Sequence, residues 1–396
     1  MQPDRIVKLR DQYHTALLDD VVPFWMKHGV DRECGGFFTC LERNGSVFST
    51  DKPVWFAGRG TWLYATLYHR VERRPEWLDL ARHGFAFSEK HCFAPDGKMY
   101  FSVTREGKPL QMRRHVYSEV FATLAYAALA EATGEDAIRS RAVDVFNSFR
   151  RYQTTPGLLP PKIDPQTRPA KSLSPLMCLI NMADALLRVD DDARYEILID
   201  GAIEELFRDF IRPEDAVVLE TVDPDGRRLD TPAGRVMNPG HAIETAWFIL
   251  EVARRRGDQD LIRRTLPVLD WSFERGWDPR HGGLLYFLDV AGKPSPYLEH
   301  DMKLWWPHSE ALYAALLAWR LSGEQKYFDW FNKVHEYTFA HFPDPEYGEW
   351  FGYLRRDGST VTDLKGNMWK GPFHIPRALW LCWTLLNEMT DQTAKP

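Results

Sequence analysis

The sequence predicts an all-α fold, an (α/α)6 barrel in which twelve helices form six pairs, with short β-hairpins at one end. An amphipathic helix, then a hairpin or loop, then a more apolar helix recurs six times along the 396 residues. Corresponding histidines, His241, His308 and His374, are separated by 67 and 66 residues, and six such periods nearly account for the chain. Helices that alternate between an outer and an inner layer can close into a ring and bury both layers.

Each unit carries local signals for its elements. In the first, an amphipathic stretch over about residues 5–27 predicts a helix, the Asn44-Gly45 pair predicts a hairpin, and residues 58–71 predict an apolar helix with Arg59 at its start. The other outer helices are predicted at about residues 77–91, 136–152, 192–210, 261–275 and 324–341. The other inner helices are predicted to begin near His115 or Tyr117, near Leu173, at Pro239, at Trp305 and at the segment Gly371 to His374.

The repeat favours a single domain over residues 1–396, although the length alone would allow two or three. In a closed ring, the inner-helix starts and the hairpins before them face one end of the barrel. Side chains that are far apart in sequence then meet in a central pocket. The structural alternative is an open α-solenoid, whose first and last repeats do not touch.

The composition favours a protein that acts on a small, neutral or weakly charged ligand. With 44% hydrophobic and 13% aromatic residues the chain can bury a large core, and a net charge of -6 without a basic run argues against nucleic acid or an anionic membrane as partner. Five widely spaced cysteines without a zinc-binding pattern indicate reduced thiols in a cytoplasm. The N-terminus lacks an apolar segment, so neither export nor a membrane span is expected.

Histidines at equivalent helix starts are the first candidate site residues. Histidine can act as acid or base near neutral pH, so two histidines on opposite sides of a pocket make a pair for proton transfer. Glu244 and Glu310 follow His241 and His308 by three and two residues. They are expected to orient an imidazole or to accept a ligand hydroxyl, although an acidic residue is favourable in the first turn of any helix.

Arg59 and Arg377 are cations near helix starts, where the helix dipole disfavours them. One reason for such a position is to hold a carbonyl or a developing oxyanion, and the other is an ion pair with Glu244 or Glu310. Aromatic residues are also dense there, and flat rings suit the apolar faces of sugars, whereas most aromatics at helical spacing fill a core. The tryptophans favoured for the pocket, because each precedes a helix with a histidine at its start, are Trp305 and Trp369.

Two other kinds of site have weaker support. A metal site built from His241, Glu244 and His308 lacks a paired motif, and the nearby arginines would repel a cation, so no metal is expected. A glycoside hydrolase needs two opposed carboxylates, and such a pair would leave the histidines unexplained. The glutamates available for it are Glu119, Glu244, Glu299 and Glu310.

Four segments carry a family resemblance: GGFFTCLERNGSVFSTDKPVWFAGRGTWLYATLY, PGHAIETAWFILE, KLWWPHSEAL and KGNMWKGPFHIPRAL. They resemble the N-acylglucosamine 2-epimerase family, also known as the renin-binding proteins, within a superfamily that includes cellobiose 2-epimerases and aldose-ketose isomerases. The resemblance extends over about residues 25–386. It implies an (α/α)6 barrel and the interconversion of N-acetylglucosamine and N-acetylmannosamine by movement of the C2 proton.

Matched motif by motif, the resemblance implies that His241 and His374 transfer this proton. It implies supporting roles for Arg59, Glu244, Glu310, Arg377 and, in the loop PPKIDP, Lys162. His308 is expected to bind the sugar or to tune the pair. The resemblance further implies a homodimer, no cofactor for the chemistry, and ATP as an effector that is not consumed.

Two other functions stay open. One is epimerisation or aldose-ketose isomerisation of an unacylated sugar such as mannose or cellobiose. The segment SLSPLMCLINMADAL lacks the further histidine typical of those branches, which favours the N-acyl branch. The other is a non-catalytic barrel that binds a sugar or a protein.

Overall fold

The structure is a computed structural model that describes residues 3–113, 116–161 and 163–393. Within these ranges the α-helices are α1 (Pro3–Thr15), α2 (Val22–His28), α3 (Val54–Thr66), α4 (Pro75–His91), α5 (Tyr117–Thr133), α6 (Asp136–Thr154), α7 (Ser174–Leu186), α8 (Arg194–Glu205), α9 (Pro239–Arg256), α10 (Gln259–Gly276), α11 (Trp305–Ser322), α12 (Gln325–His341) and α13 (His374–Thr393). A π-helical segment, Ala16–Val21, joins α1 to α2, so the described helices make twelve rods. Further π-helical segments, Leu67–Val71 and Leu206–Phe210, extend α3 and α8.

The rods form two concentric layers, which confirms the (α/α)6 barrel. The outer rods α1–α2, α4, α6, α8, α10 and α12 alternate with the inner helices α3, α5, α7, α9, α11 and α13. Outer α10 buries one face, whereas inner α11 is buried on nearly all sides from Trp305 to Ala318. The ring is closed because α1 packs on α13 and Trp62 of α3 lies 6.3 Å from Trp380 of α13. An open solenoid is therefore excluded.

Short strands link the loops at the N-terminal ends of the inner helices. They are β1 (Lys52–Pro53), β2 (Ser102–Val103), β3 (Pro109–Gln111), β4 (Lys171–Ser172), β5 (Ile211–Arg212), β6 (Val217–Val218), β7 (Thr221–Val222), β8 (Val236–Met237), β9 (Leu288–Asp289), β10 (Lys303–Leu304), β11 (Tyr353–Leu354) and β12 (Thr360–Thr362). All pairs are antiparallel: β1–β2–β3, β10–β11–β12, β4–β7, β5–β6 and β8–β9. A bridge between Leu41 and Gly366 joins the first loop to the last.

The structure changes two details of the predicted elements. Helix α3 begins at Val54, after Pro53 in extended conformation, so Arg59 lies in its second turn rather than at its start. The inner helix of the second unit begins at Tyr117, and the other predicted start, His115, lies outside the described residues. No helix among the described residues is both long enough and apolar enough to cross a membrane.

The loops at the N-terminal ends of the inner helices together form what we call the loop ring. Buried ion pairs stabilise these loops in the first, fifth and sixth units. In the fifth, Lys303 Nζ lies 3.1 Å from Asp278 Oδ2, and Arg356 of the next loop donates to the same oxygen at 2.9 Å. Neither Lys303 nor Asp278 is exposed. The equivalent sets are Asp31 with Lys52 and Arg105, and Asp344 with Lys365 and Arg43.

We expect Lys303→Met to lower the free energy of unfolding by about 3–5 kcal/mol, because the carboxylate of Asp278 would stay buried with one cation removed. Burial raises the pKa of Asp278, but hydrogen bonds from Arg356 and Lys303 more than offset this and leave it below its usual range. The stabilisation is therefore present above about pH 4 and is lost as the pH falls. Denaturant titration measures it, with the exposed Lys293→Met as control. Equal midpoints for the two variants would contradict the prediction.

Candidate active site

Three inner helices contribute charged side chains from the same position. Arg59, Glu244 and Glu310 are each the sixth residue of their helix, in α3, α9 and α11. All three are buried, with exposures of 8%, 6% and 2%. Because the inner helices share one direction in the barrel, equivalent positions converge on its axis. The charges therefore meet at the centre, beneath the loop ring.

His374 lies among these charges at the start of α13. Its Nδ1 is 2.7 Å from Glu310 Oε1 and 3.5 Å from a guanidinium nitrogen of Arg377. Glu310 Oε2 accepts a hydrogen bond from Trp247 Nε1 at 2.9 Å. Burial, together with the positive charges of Arg59 and Arg377, holds the pKa of His374 well below its usual value. The ring is thus neutral at neutral pH, and with Nδ1–H donating to Glu310 its Nε2 carries a free lone pair.

His241 is held in a similar way at the start of α9. Asn238 caps the helix by accepting from the His241 N–H at 3.0 Å, which fixes the first turn. The imidazole Nδ1 lies 3.0 and 3.1 Å from the two carboxylate oxygens of Glu220, in the loop between β6 and β7. Burial lowers the pKa of His241, but the charges of Glu220 and Glu244 outweigh it and leave the pKa raised. The two histidines therefore have pKa values pushed in opposite directions.

Trp306 contacts both histidines. Its ring centroid is 5.0 Å from that of His241 and 5.7 Å from that of His374. The ring of Tyr286 packs edge-on against the same indole, with centroids 6.0 Å apart. The two imidazoles therefore share one aromatic neighbour at the central site.

Arg59 is a buried cation whose side chain has no ion-pair partner among the described residues. Its guanidinium carbon lies 4.0 Å from the ring centroid of Phe121 and 4.8 Å from that of Phe373. Its Nε is buried without a hydrogen-bond partner. Burial and the nearby Arg377 lower the pKa of Arg59 to about 9. Arg377, by contrast, donates to Glu244 and to Glu310 Oε1, the latter at 2.7 Å. Arg377 is thus paired with two carboxylates, whereas Arg59 is available to a ligand.

Two of the predicted pocket residues, His308 and Trp305, lie elsewhere. His308 is wrong as a sugar contact: it is fully buried, its Nδ1 donates to Leu304 O at 2.7 Å, and its Nε2 accepts from the Leu284 N–H at 2.9 Å. Burial also lowers the pKa of His308 to about 3. Trp305 is buried against Tyr353 at 5.1 Å, away from the histidines.

The remaining predicted residues are Trp369 and Lys162. Trp369 is 40% exposed and lies at the rim, 5.3 Å from Trp55. Lys162 lies outside the described residues. Glu220 and Trp306, both of which contact a site histidine, were not predicted from the sequence. The sequence did contain a signal for Trp306. Trp305 and Trp306 are adjacent at the start of α11, and the direction in which each side chain leaves the helix decides which one faces the site.

The central acidic groups also resemble a metal site. Ligand atoms of Glu244, Glu310 and His374 lie within 4.8 Å of one another. The guanidinium of Arg377 already bonds both carboxylates, and its charge opposes a second cation there. Because this arginine joins the two carboxylates, they also do not flank an open gap in which a glycosidic bond could lie.

Comparison with known proteins identifies the family. Residues 36–376 match the family model described as N-acylglucosamine 2-epimerase. The chain is 40% identical to N-acylglucosamine 2-epimerase of Mus musculus, over 95% of this chain and 91% of that protein. It is 26% identical to cellobiose 2-epimerase of Bacteroides fragilis, over 96% and 99%. The solved cellobiose 2-epimerase of Spirochaeta thermophila has the same fold, with a TM-score of 0.84, 23% identity and 98% of both chains covered. The chain belongs to the N-acylglucosamine 2-epimerase family, a family of carbohydrate epimerases.

Proposed function

We propose that this protein is an N-acyl-D-glucosamine 2-epimerase that interconverts N-acetyl-D-glucosamine and N-acetyl-D-mannosamine. One observation carries the proposal: two histidines from separate inner helices, each held at Nδ1 by a carboxylate, contact the same indole ring and have opposite pKa shifts. The names of the relatives that are 40% identical support the sugar class.

In the proposed reaction the sugar ring opens first, because only the free C1 aldehyde makes the C2 hydrogen acidic. The Nε2 lone pair of neutral His374 takes that proton, and the C2–H electron pair moves toward O1 to form an enolate. Arg59, which has no carboxylate partner within 4.0 Å among the described residues, stabilises the negative charge at O1. Protonated His241 then gives its proton to the opposite face of C2. The net change is inversion at C2.

The opposite pKa shifts favour the neutral form of His374 and the protonated form of His241. In the proposal His374 therefore acts first as base and His241 as acid. The epimer whose C2 hydrogen faces His374 therefore reacts directly with the resting enzyme. The other epimer reacts with the form in which the proton has moved from His241 to His374.

A sugar panel in deuterated water tests the proposed function. N-acetylglucosamine and N-acetylmannosamine should each yield the other as an aldose labelled at C2. Mannose, glucose and cellobiose should react at least about tenfold less efficiently, since a site shaped for one substituent discriminates by this order. A ketose product would instead support an isomerase, and a better rate with cellobiose would support a disaccharide epimerase. Absence of turnover across the panel would support a binding protein.

We expect Glu220→Gln to move the basic limb of the pH profile of kcat/KM to lower pH. Glu220 raises the pKa of His241, so without its charge burial would lower that pKa and the acid form would be lost sooner. The exposed Glu214→Gln, in the preceding turn between β5 and β6, is the control and should leave the profile unchanged. If the basic limb of Glu220→Gln stayed at the same pH as that of the wild type, this carboxylate would not set the pKa of His241.

The proposal includes a cytoplasmic protein whose chemistry needs no metal or other cofactor. All five cysteines are unpaired, as expected in a reducing compartment, and Arg59 and Arg377 supply the positive charge that a metal would provide. Activity should therefore survive prolonged treatment with a chelator. A homodimer, and ATP as an effector that is not consumed, complete the proposal. Light scattering tests the first, and assays with ATP and with a non-hydrolysable analogue test the second.

A further inference from the structure

A cavity extends from the central charges toward the end of the barrel opposite the loop ring. Its volume is about 340 Å³, and it is lined mainly by the C-terminal halves of the inner helices, together with Phe373 and Arg377 near the start of α13. Asp184 comes from the end of α7, Arg188 from just after it, Arg254 from the end of α9 and Glu388 from the last turns of α13. We call it the base cavity. Its size falls within the range of small-molecule sites, about 300–1,000 Å³.

The walls of the base cavity are aromatic. Trp62 and Trp380 line it with ring centroids 6.3 Å apart, and Trp247 and Tyr313 line it with centroids 5.2 Å apart. Flat apolar faces of this kind pack against the C–H faces of a ring ligand. They also exclude a small, strongly hydrated ion as the natural occupant.

The charged groups that line the base cavity are mostly paired. Arg188 pairs with Asp184 at 2.9 Å and Arg254 with Glu388 at 2.9 Å, and Glu251 accepts a hydrogen bond from Tyr313. Arg70 pairs with Glu131, which lies outside the lining. An anionic ligand would have to compete with these carboxylates and a cationic ligand with these arginines, whereas hydroxyls can donate to the first and accept from the second. This pairing therefore favours a neutral, hydroxyl-rich ligand.

Some polar groups of the base cavity have no side-chain partner among the described residues. Nε of Arg377, a residue only 4% exposed, is buried and unpartnered, and Arg377 lines the cavity. Asn181 and Thr384, both half-buried, line it as well, and neither side chain makes a hydrogen bond in the described part of the chain. A buried donor without a partner, such as Arg377 Nε, is costly, which is a reason for a ligand or water to fill this space.

Two residues that line the base cavity also contact the central site. Arg377 lines the cavity and bonds Glu310, and Trp247 lines the cavity and donates to the other oxygen of the same carboxylate. Glu310 in turn holds His374 at 2.7 Å. We propose that the base cavity is a second binding site, for a neutral monosaccharide or similar polyol, and that its occupancy alters kcat through the contacts of Arg377 and Trp247 with Glu310.

Equilibrium dialysis with the labelled methyl glycoside of N-acetylglucosamine tests the site without relying on the proposed function. This probe cannot open its ring, so it cannot be epimerised. The wild-type chain should bind one molecule more than Ala185→Trp, in which an indole fills the half-buried lining of the cavity. Asn181→Leu should weaken this additional site by about tenfold through loss of hydrogen bonds. Asn387→Ala, on α13 but outside the lining, should bind as many molecules as the wild type.

Steady-state rates test the coupling, and this arm rests on the proposed function. The glycoside should change kcat of the wild type by at least about twofold and leave kcat of Ala185→Trp unchanged. A rise in KM alone, equal in both proteins, would mean that the probe binds only at the central pocket. That result, or equal dialysis stoichiometries for the wild type and Ala185→Trp, would overturn the second site. One molecule more in the wild type than in Ala185→Trp, in a protein without epimerase activity, would uphold the site and refute the proposed function.

Discussion

His374→Ala and His241→Ala are each expected to lower kcat for epimerisation by about a thousandfold or more, because each removes one of the two groups that exchange a proton with C2. A single fixed base reaches one face of C2 only, so the remaining histidine cannot complete the inversion. The fold should survive. Glu310 keeps its bonds to Arg377 and Trp247 without His374, and the Asn238 cap of α9 uses the backbone N–H of His241 rather than its ring.

Circular dichroism and thermal unfolding serve as the structural control for these two variants. The matched control substitution is His281→Ala, in the loop after α10 and outside the central site. It should retain wild-type kcat and KM. Near-normal turnover in either site variant would refute the two-histidine assignment, whereas an equal loss in His281→Ala would point to a general effect of removing histidine.

Arg59→Met is expected to lower kcat/KM by about 10²–10³-fold, the usual effect of losing one donor to a developing oxyanion. Its effect on stability should be small. A buried guanidinium without an ion pair is held at a desolvation cost, which the contacts with Phe121 and Phe373 offset only in part. We expect the free energy of unfolding to change by no more than about 1 kcal/mol. Activity and stability should therefore separate at this residue.

Kinetics together with denaturant titration check this separation. The exposed Arg82→Met, on outer α4, should change neither quantity. Arg377→Met is the informative comparison: it removes the cation that joins Glu244 and Glu310, so it should lower stability as well as activity. If Arg59→Met unfolded the protein to the same extent as Arg377→Met, the role of Arg59 would be structural.

The barrel could be predicted from the sequence because its signals are local and repeated. Amphipathic outer helices, apolar inner helices and histidines spaced 67 and 66 residues apart define the period. The start of α3 was misplaced by four residues because Val54, Trp55 and Phe56 are apolar and lack a polar cap, so they continue the pattern of the preceding loop. Pro53 was the available signal for the true start.

The direction in which successive side chains leave a helix explains why His308 and Trp305 were wrongly predicted to line the pocket. His241 is the third residue of its helix and His308 the fourth, so equivalent sequence motifs do not place equivalent side chains toward the axis. Adjacent residues on a helix point about 100° apart, which turns Trp306 toward the histidines and Trp305 toward Tyr353.

Glu220 has no local signal at all. It lies between two-residue strands, 21 residues before His241, and reaches the imidazole only because the fourth loop folds back over its own inner helix. A backbone hydrogen bond from the Glu220 N–H to Val236 O at 3.1 Å fixes this return. A contact set by tertiary loop packing leaves no periodic trace in the sequence.

The most direct test of the two-histidine mechanism is exchange of the C2 hydrogen with deuterated water in the two alanine variants. Each variant keeps one base, so it should wash out the C2 hydrogen of one epimer without inverting it. His241→Ala should exchange the epimer whose C2 hydrogen faces His374, and His374→Ala should exchange only the other. Exchange of the same epimer, or of both, by the two variants would contradict a mechanism in which each histidine serves one face of the carbon.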